Sequence, residues 1–429
     1  METLKEIARK NLGIKPNNKI ILSLDGGGIR GIFTLQLLKR LEEIAGSPCY
    51  EWCDMVAGTS TGAIIAGLIL NKKDATQIEE LYTQLVSRVF TKRSFLANRF
   101  YNPPAFDKKN YRGLLKKIIG NSSLEDLCKA NGLDCLFTAK DMAAGEETFF
   151  TCINNKGSMK GTYKSVLLRG VLESTMSAPT YFSPLERFVD GGTTTYNNPA
   201  ASAVLEALTY GGAGKYKLNE LTVLSFGTAT SLRFVDPKKT ADLKGLDTMF
   251  WLNYVMEETS KDASEMQVDM LRSGLFKGLD FRRFQLSLDE TTMHKLPDRN
   301  IEHVPEVEAD WLHELTEEVL SHIDMADVSR FPLMKAIGES TADFICPPDE
   351  KNTPVAERKA NWFRSDLIDP KTHRGTLVTA YGSVEAMPPR PILRSTRYRS
   401  FTKGMFSLVI ECRHFFQRSN ITLSINERR

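Results

Sequence analysis

The chain has 429 residues, 41% of them hydrophobic and 25% charged, with a formal net charge of +3. These proportions exclude disorder as the default reading and supply apolar material for one large core or two smaller ones. No apolar run reaches the roughly 18 residues of a membrane span, and the longest, Ala63 to Leu70, is less than half of that.

From the N-terminus, METLKEIARKNLGIK reads as a short charged helix. It lacks the apolar centre and small-residue cleavage site of a signal peptide, so cytoplasmic residence is the expectation. Lys19 to Leu24 is apolar at its centre, as expected of a strand buried on both faces of a parallel sheet. The stretch DGGGIRG, Asp25 to Gly31, follows at once. Phe33, Leu37, Leu41 and Ile44 then recur at four- and three-residue steps and predict an amphipathic helix. A second β-α unit is CDMVAG running into TSTGAIIAGLIL, residues 53–70. Further strands are expected at Thr148 to Cys152 and Leu221 to Phe226, with a helix over Ser165 to Ala178 between them. Strands alternating with helices imply an α/β layered fold.

Beyond Leu224 to Thr230 the pattern turns helical, best at Trp251 to Met270 and at Asp310 to Ile323. Ile345 to Pro354 has the proline and charge content of a boundary. Residues 351–429 carry 15 Lys and Arg against 6 Asp and Glu, leaving 41 against 47 in residues 1–350, so a basic segment follows an acidic body. Seven cysteines without a C-x-x-C pair read as reduced, mostly packed thiols.

Four glycines in seven residues at a strand-to-helix turn offer bare backbone to something, and two chemistries compete. Gly26-x-Gly28-x-x-Gly31 fits the dinucleotide fingerprint; the same run fits a nest of N–H groups for the oxyanion of an acyl transfer. The dinucleotide reading asks for an acid at the carboxyl end of the second strand, where Gly58-Thr59-Ser60 stands instead, with Asp54 at the strand's beginning. Gly58-Thr59-Ser60-Thr61-Gly62 matches G-x-S-x-G, which sets a serine on a tight elbow that flanking side chains would obstruct. All six histidines lie at or after position 294, outside the β-α units that carry Ser60. The better proton acceptor is Asp190 in FVDGGTTTYNNP, an aspartate delivered onto a Gly-Gly turn. A Ser-Asp pair is therefore the economical reading, with a helix N-cap and a plain turn as the competing roles of the two residues.

DGGGIRG, GTSTG and DGG, in this order, with Ser177 to Pro184 (SAPTYFSP) ahead of the last, resemble the patatin-like phospholipases and acyl hydrolases. The resemblance is specific over about residues 18–230 and weaker to about residue 340. It implies a three-layer α/β/α fold with a mostly parallel sheet and a helical C-terminal part. It implies Ser60 as nucleophile and Asp190 as base, elbow glycines Gly58 and Gly62, and an oxyanion hole from Gly26, Gly27, Gly28 and Ile29. Arg30 would hold a head group or support the loop. The expected organisation is an N-terminal helix at 1–17, a catalytic domain at 18–345 and a basic extension at 346–429.

The function implied is hydrolysis of phospholipid acyl esters, by an enzyme that is cytoplasmic or peripheral at a membrane surface. No cofactor is expected, and no metal either, since no H-E-x-x-H, EF-hand or Cys/His cluster is present. No nucleic-acid partner is expected, because no recognised binding motif accompanies the basic charge. Arg394, Arg397, Arg399 and Lys403 beside Tyr398, Phe401, Phe406 and Phe415 suit anionic lipid. Some bacterial members of the family are switched on by cyclic nucleotides, which makes such an activator a candidate partner. An inactive lipid- or protein-binding module is the alternative.

Overall fold

The computed structural model describes residues 2–89, 106, 108–153, 163–211, 214–231 and 248–348. The basic and aromatic positions between 394 and 415 lie outside the described residues. Nine strands are assigned among them: β1 (Lys19–Leu24), β2 (Met55–Gly58), β3 (Asp134–Asp141), β4 (Glu146–Thr151), β5 (Phe188–Asp190), β6 (Leu221–Phe226), β7 (Thr230–Ser231), β8 (Asp280–Phe284) and β9 (Ser287–Leu288). Seven form one sheet in the order β4-β3-β2-β1-β6-β8, with β5 against β3; β7 and β9 make a separate parallel pair. The pairings β1–β2, β1–β6, β2–β3 and β6–β8 are parallel, while β4 and β5 run antiparallel to β3.

Alternation along the strands divides the interior into two layers. Ile20, Leu22, Leu24, Val56 and Phe137 pack into one apolar cluster with helices Gly31–Ala45, Ser60–Leu70, Leu168–Thr175 and Phe331–Ile345. Ile21, Met55, Ala57, Leu136 and Val223 point the other way, against helices Ala200–Tyr210 and Thr248–Arg272. The result is a three-layer α/β/α fold with a mostly parallel central sheet. Helix Gly31–Ala45 ends where Gly46 takes φ +78°, the left-handed conformation that closes a helix at least cost in glycine.

Register places the functional edge. Leu24 pairs with Gly58 on one side and Phe226 on the other, so β1, β2 and β6 end on one line. β5 runs back along β3 toward the end of β2: Gly58 faces Phe137, and Asp190 faces Ala139. Two residues of β3, about 7 Å, therefore separate the ends of two strands that are 132 positions apart in sequence.

Three expectations need correction. Asp310 to Ile323 is not one helix but a 3-10 turn, Leu312–Glu314, and a five-residue helix, Glu317–Ser321. The cause is local: the Thr316 hydroxyl caps a new start by accepting from the Val319 amide, while Leu312, Leu315 and Ile323 stay buried. The cysteines are not all reduced, because the β3–β4 hairpin brings Cys152 beside helix Leu124–Asn131, where it is bonded to Cys128. Cys135 keeps a free thiol beside that bridge. β8 breaks the helical expectation beyond residue 230. Its DFRRF sequence carries two buried arginines, and Arg282 is paired with Asp280 at 2.8 Å and bonded to the Leu12 and Gly13 carbonyls.

Candidate active site

The elbow after β2 forces Ser60 to φ +52°, a conformation that costs a non-glycine residue about 1–2 kcal/mol. That strain is held by a close fit on both sides. A Cβ on Gly62 would run into the Leu24 carbonyl, and one on Gly58 would come within 2.6 Å of Ala63. The Ser60 amide donates to Thr175 Oγ1 at 2.8 Å, which fixes the turn from outside. Ser60 also opens the buried helix Ser60–Leu70, so the positive end of that helix dipole lies under its hydroxyl.

Ser60 Oγ donates to Asp190 Oδ2 at 2.6 Å. The other carboxylate oxygen accepts from the Gly192 amide at 2.7 Å, so the D-G-G turn orients the carboxylate that it carries. Burial is the main influence on Asp190 and raises its pKa to about 6; the bonds from Ser60 and Gly192 and the charge of Lys108 oppose it. An aspartate tuned to that range is a far better proton acceptor near neutrality than an ordinary one.

The glycine loop crosses above this pair. A Cβ on Gly26 would sit 3.1 Å from Ser60 Cβ, so the bare backbone makes room for the serine. The Gly26 amide donates to the Asn197 carbonyl at 3.2 Å, Gly27 to Thr61 Oγ1 at 3.2 Å, and Ile29 to the Met325 carbonyl at 2.7 Å. Gly28, at φ +57°, is the one of the four whose amide has no acceptor among the described residues. Its carbonyl accepts from the Tyr82 hydroxyl, and a Cβ there would collide with the Met325 carbonyl. Asp25, at the start of the loop, is clamped by a buried bidentate pair with Arg283 at 2.9 and 2.5 Å. Burial raises the pKa of Asp25 against the pull of that guanidinium.

Ser60, Asp190, Gly26, Gly27, Gly28 and Arg30 line one pocket. Its lining includes the apolar residues Met176, Ala178, Tyr181 and Phe182 and the polar residues Thr228, Ser231, Glu258 and Lys261. Ile29 is buried behind the loop, and no histidine among the described residues lines the pocket. Asp54 is held at the amino end of β2 by Lys5 at 2.7 Å and Lys19 at 3.0 Å, far from the edge where a ribose-binding acid would stand.

Sequence reasoning missed Lys108, Thr175 and Arg283. Lys108 stood in a charged run that resembles any solvated surface. The signal for Arg283 was a pair of arginines set between two phenylalanines, Phe281 and Phe284. Cys128, Cys135 and Cys152 bring three sulfurs together, a grouping that could hold a thiophilic metal only in place of the disulfide.

Fold and site together define an α/β protein that presents a strained serine, hydrogen-bonded to a buried carboxylate, at the carboxyl edge of a mostly parallel sheet. Residues 22–204 match the family model described as patatin-like phospholipase, which places a patatin-like domain in that part of the chain. A cUMP-AMP-activated phospholipase of Escherichia coli is 27% identical over 285 residues, 64% of this chain and 82% of that protein. A cGAMP-activated phospholipase of Vibrio cholerae is 27% identical over 255 residues, 53% of this chain and 69% of the relative. Mouse calcium-independent phospholipase A2-gamma is 27% identical over 264 residues, 54% of this chain but 34% of the relative, so the chain spans about a third of that protein. Among the described residues, no helix is long and apolar enough to cross a membrane.

Proposed function

We propose that this protein is a lipid acyl hydrolase of phospholipase A or lysophospholipase type, working through a Ser60–Asp190 dyad and an acyl-enzyme. The observation that carries the reading is the 2.6 Å hydrogen bond from Ser60 Oγ to a buried Asp190. Asp190 takes the serine proton as Oγ attacks the ester carbonyl, and returns it to the departing alcohol when the tetrahedral intermediate collapses. Water, deprotonated by the same carboxylate, then attacks the acyl-serine, and the fatty acid leaves.

The oxyanion is held by the Gly28 amide, with Gly27 as a second donor whose 3.2 Å bond to Thr61 a stronger acceptor can displace. Each such donor contributes about 3 kcal/mol to lowering the barrier. The apolar lining residues suit an acyl chain, while Arg30 and the polar lining residues suit a head group at a membrane surface. The names of the Escherichia coli and Vibrio cholerae relatives support a further element, activation by a cyclic dinucleotide.

Mass spectrometry of products from defined phospholipids, with and without cyclic dinucleotides, tests both parts. Free fatty acid and lysophospholipid are expected from the intact protein and neither from Ser60→Ala. Equal rates with and without the nucleotides would refute activation, and undiminished hydrolysis by Ser60→Ala would refute the dyad.

A further inference from the structure

Lys108 lies deep in the molecule, with its side chain only 4% exposed. Its Nζ donates to Ser177 Oγ at 2.5 Å, and the carbonyl of Ser177 accepts the amide of Asp190 at 3.1 Å. Ser177 Oγ in turn donates to the Glu173 carbonyl at 2.7 Å, so the lysine meets a polar strut running from helix Leu168–Thr175 to the end of β5. A lysine is rarely buried unless something requires its charge there.

We infer that Lys108 is a positioning residue for the Ser60–Asp190 pair: its buried ammonium, anchored on Ser177, keeps the Asp190 carboxylate charged and so able to take the serine proton. The inference rests on the acyl-hydrolase reading above. Lys108 does not line the pocket and transfers no proton; it acts through Asp190.

Glu173 and Arg112 are charged neighbours of Lys108. Glu173 is 3.6 Å from Lys108 Nζ and is bonded to Arg112 at 2.8 Å, so Arg112 neutralises much of Glu173 and leaves the lysine's charge available to Asp190. Tyr111 packs nearby with its hydroxyl donating to the Leu172 carbonyl; burial pushes it well up, so it stays neutral. Burial pulls Lys108 down to about 8, with Glu173 and Asp190 opposing, so it remains cationic where Asp190 titrates. Without the lysine, the hydrogen bonds from Ser60 and Gly192 remain, among the described residues, to oppose burial of the aspartate.

The test is the pH profile of covalent labelling of Ser60 by a fluorophosphonate, read as a rate constant by intact mass. In the wild type the acid limb is expected near pH 6. Lys108→Met should move its midpoint upward by roughly one pH unit, the effect of losing a nearby opposite charge. Lys108→Arg should return the midpoint to within a few tenths of a unit. Lys108→Gln, which keeps a donor for Ser177 without the charge, should move it upward as well and serves where Lys108→Met does not fold. A midpoint unmoved in Lys108→Met, or in Lys108→Gln where that variant is the one that folds, overturns the role given to the lysine, as does an arginine variant shifted as far as the neutral one. Absence of any Ser60 adduct in the folded wild type at every pH overturns instead the acyl-hydrolase reading and the inference with it.

Discussion

Replacing Asp190 by asparagine should stabilise the protein while abolishing its chemistry, and the size of the gain follows from the site. The carboxyl titrates at about 6 in the folded chain against an ordinary 3.8, because burial penalises its charged form. A raised folded pKa means that the native state holds the proton more tightly than the unfolded chain. The aspartate therefore costs nothing below pH 3.8, costs more as pH rises through the window from 3.8 to about 6, and carries its full penalty above it. About two pKa units correspond to about 3 kcal/mol. Asparagine keeps the shape and can still accept the Gly192 amide, but has no charge to desolvate. Chemical denaturation at pH 7.5 should show Asp190→Asn more stable by up to about 3 kcal/mol, shrinking toward zero at pH 4, while kcat falls by about a thousandfold or more. Loss of stability at pH 7.5, or an equal gain at both pH values, would refute the buried, charge-bearing role.

Arg283→Met should cost about 3–5 kcal/mol, because it leaves Asp25 buried without its counter-charge; adding Asp25→Asn should recover much of it. A single-variant loss below about 1 kcal/mol in urea would contradict the clamp. Gly28→Ala meets both a left-handed backbone and the Met325 carbonyl, so kcat should fall by about a hundredfold with one oxyanion donor displaced. Wild-type kcat in a folded Gly28→Ala variant would remove Gly28 from the chemistry. Reduction of Cys128–Cys152, which are 24 residues apart, should lower stability by about 3 kcal/mol. Cys152→Ser should then melt at the same temperature with and without dithiothreitol, and a wild type indifferent to the reductant would count against the bridge.

What the sequence discloses is local grammar. The glycine turn after β1, the G-x-S-x-G elbow and the D-G-G turn each demand backbone that only small residues allow, so each is visible in a few letters. The α/β class follows from the apolar runs of β1, β2 and β6 and the helices between them. Distance between motifs is not visible: Ser60 and Asp190 meet only because β5 turns back along β3, and DCLFTAKD does not announce itself as the strand that both depend on. β8 is hidden because Arg282 and Arg283 disguise a buried strand until Asp280, two residues back, is seen to pair with Arg282 and distant Asp25 with Arg283. Lys108 reads as surface charge for the same reason: burial of a cation is decided by partners far away in sequence. The broken helix at 310–323 marks the other limit, since an apolar spacing survives in the burial of Leu312, Leu315 and Ile323 while Thr316 and Glu314 rewrite the backbone.

The central claim is that Ser60 becomes acylated with Asp190 as its base. Rapid acid quench after mixing with a short-chain p-nitrophenyl ester, followed by peptide mass mapping, reads this directly. The account predicts the acyl mass on the peptide containing Ser60 in the wild type, none at that position in Ser60→Ala, and a strongly slowed appearance in Asp190→Asn. An acyl group on another residue, or full-rate acylation of Ser60 in Asp190→Asn, would contradict it.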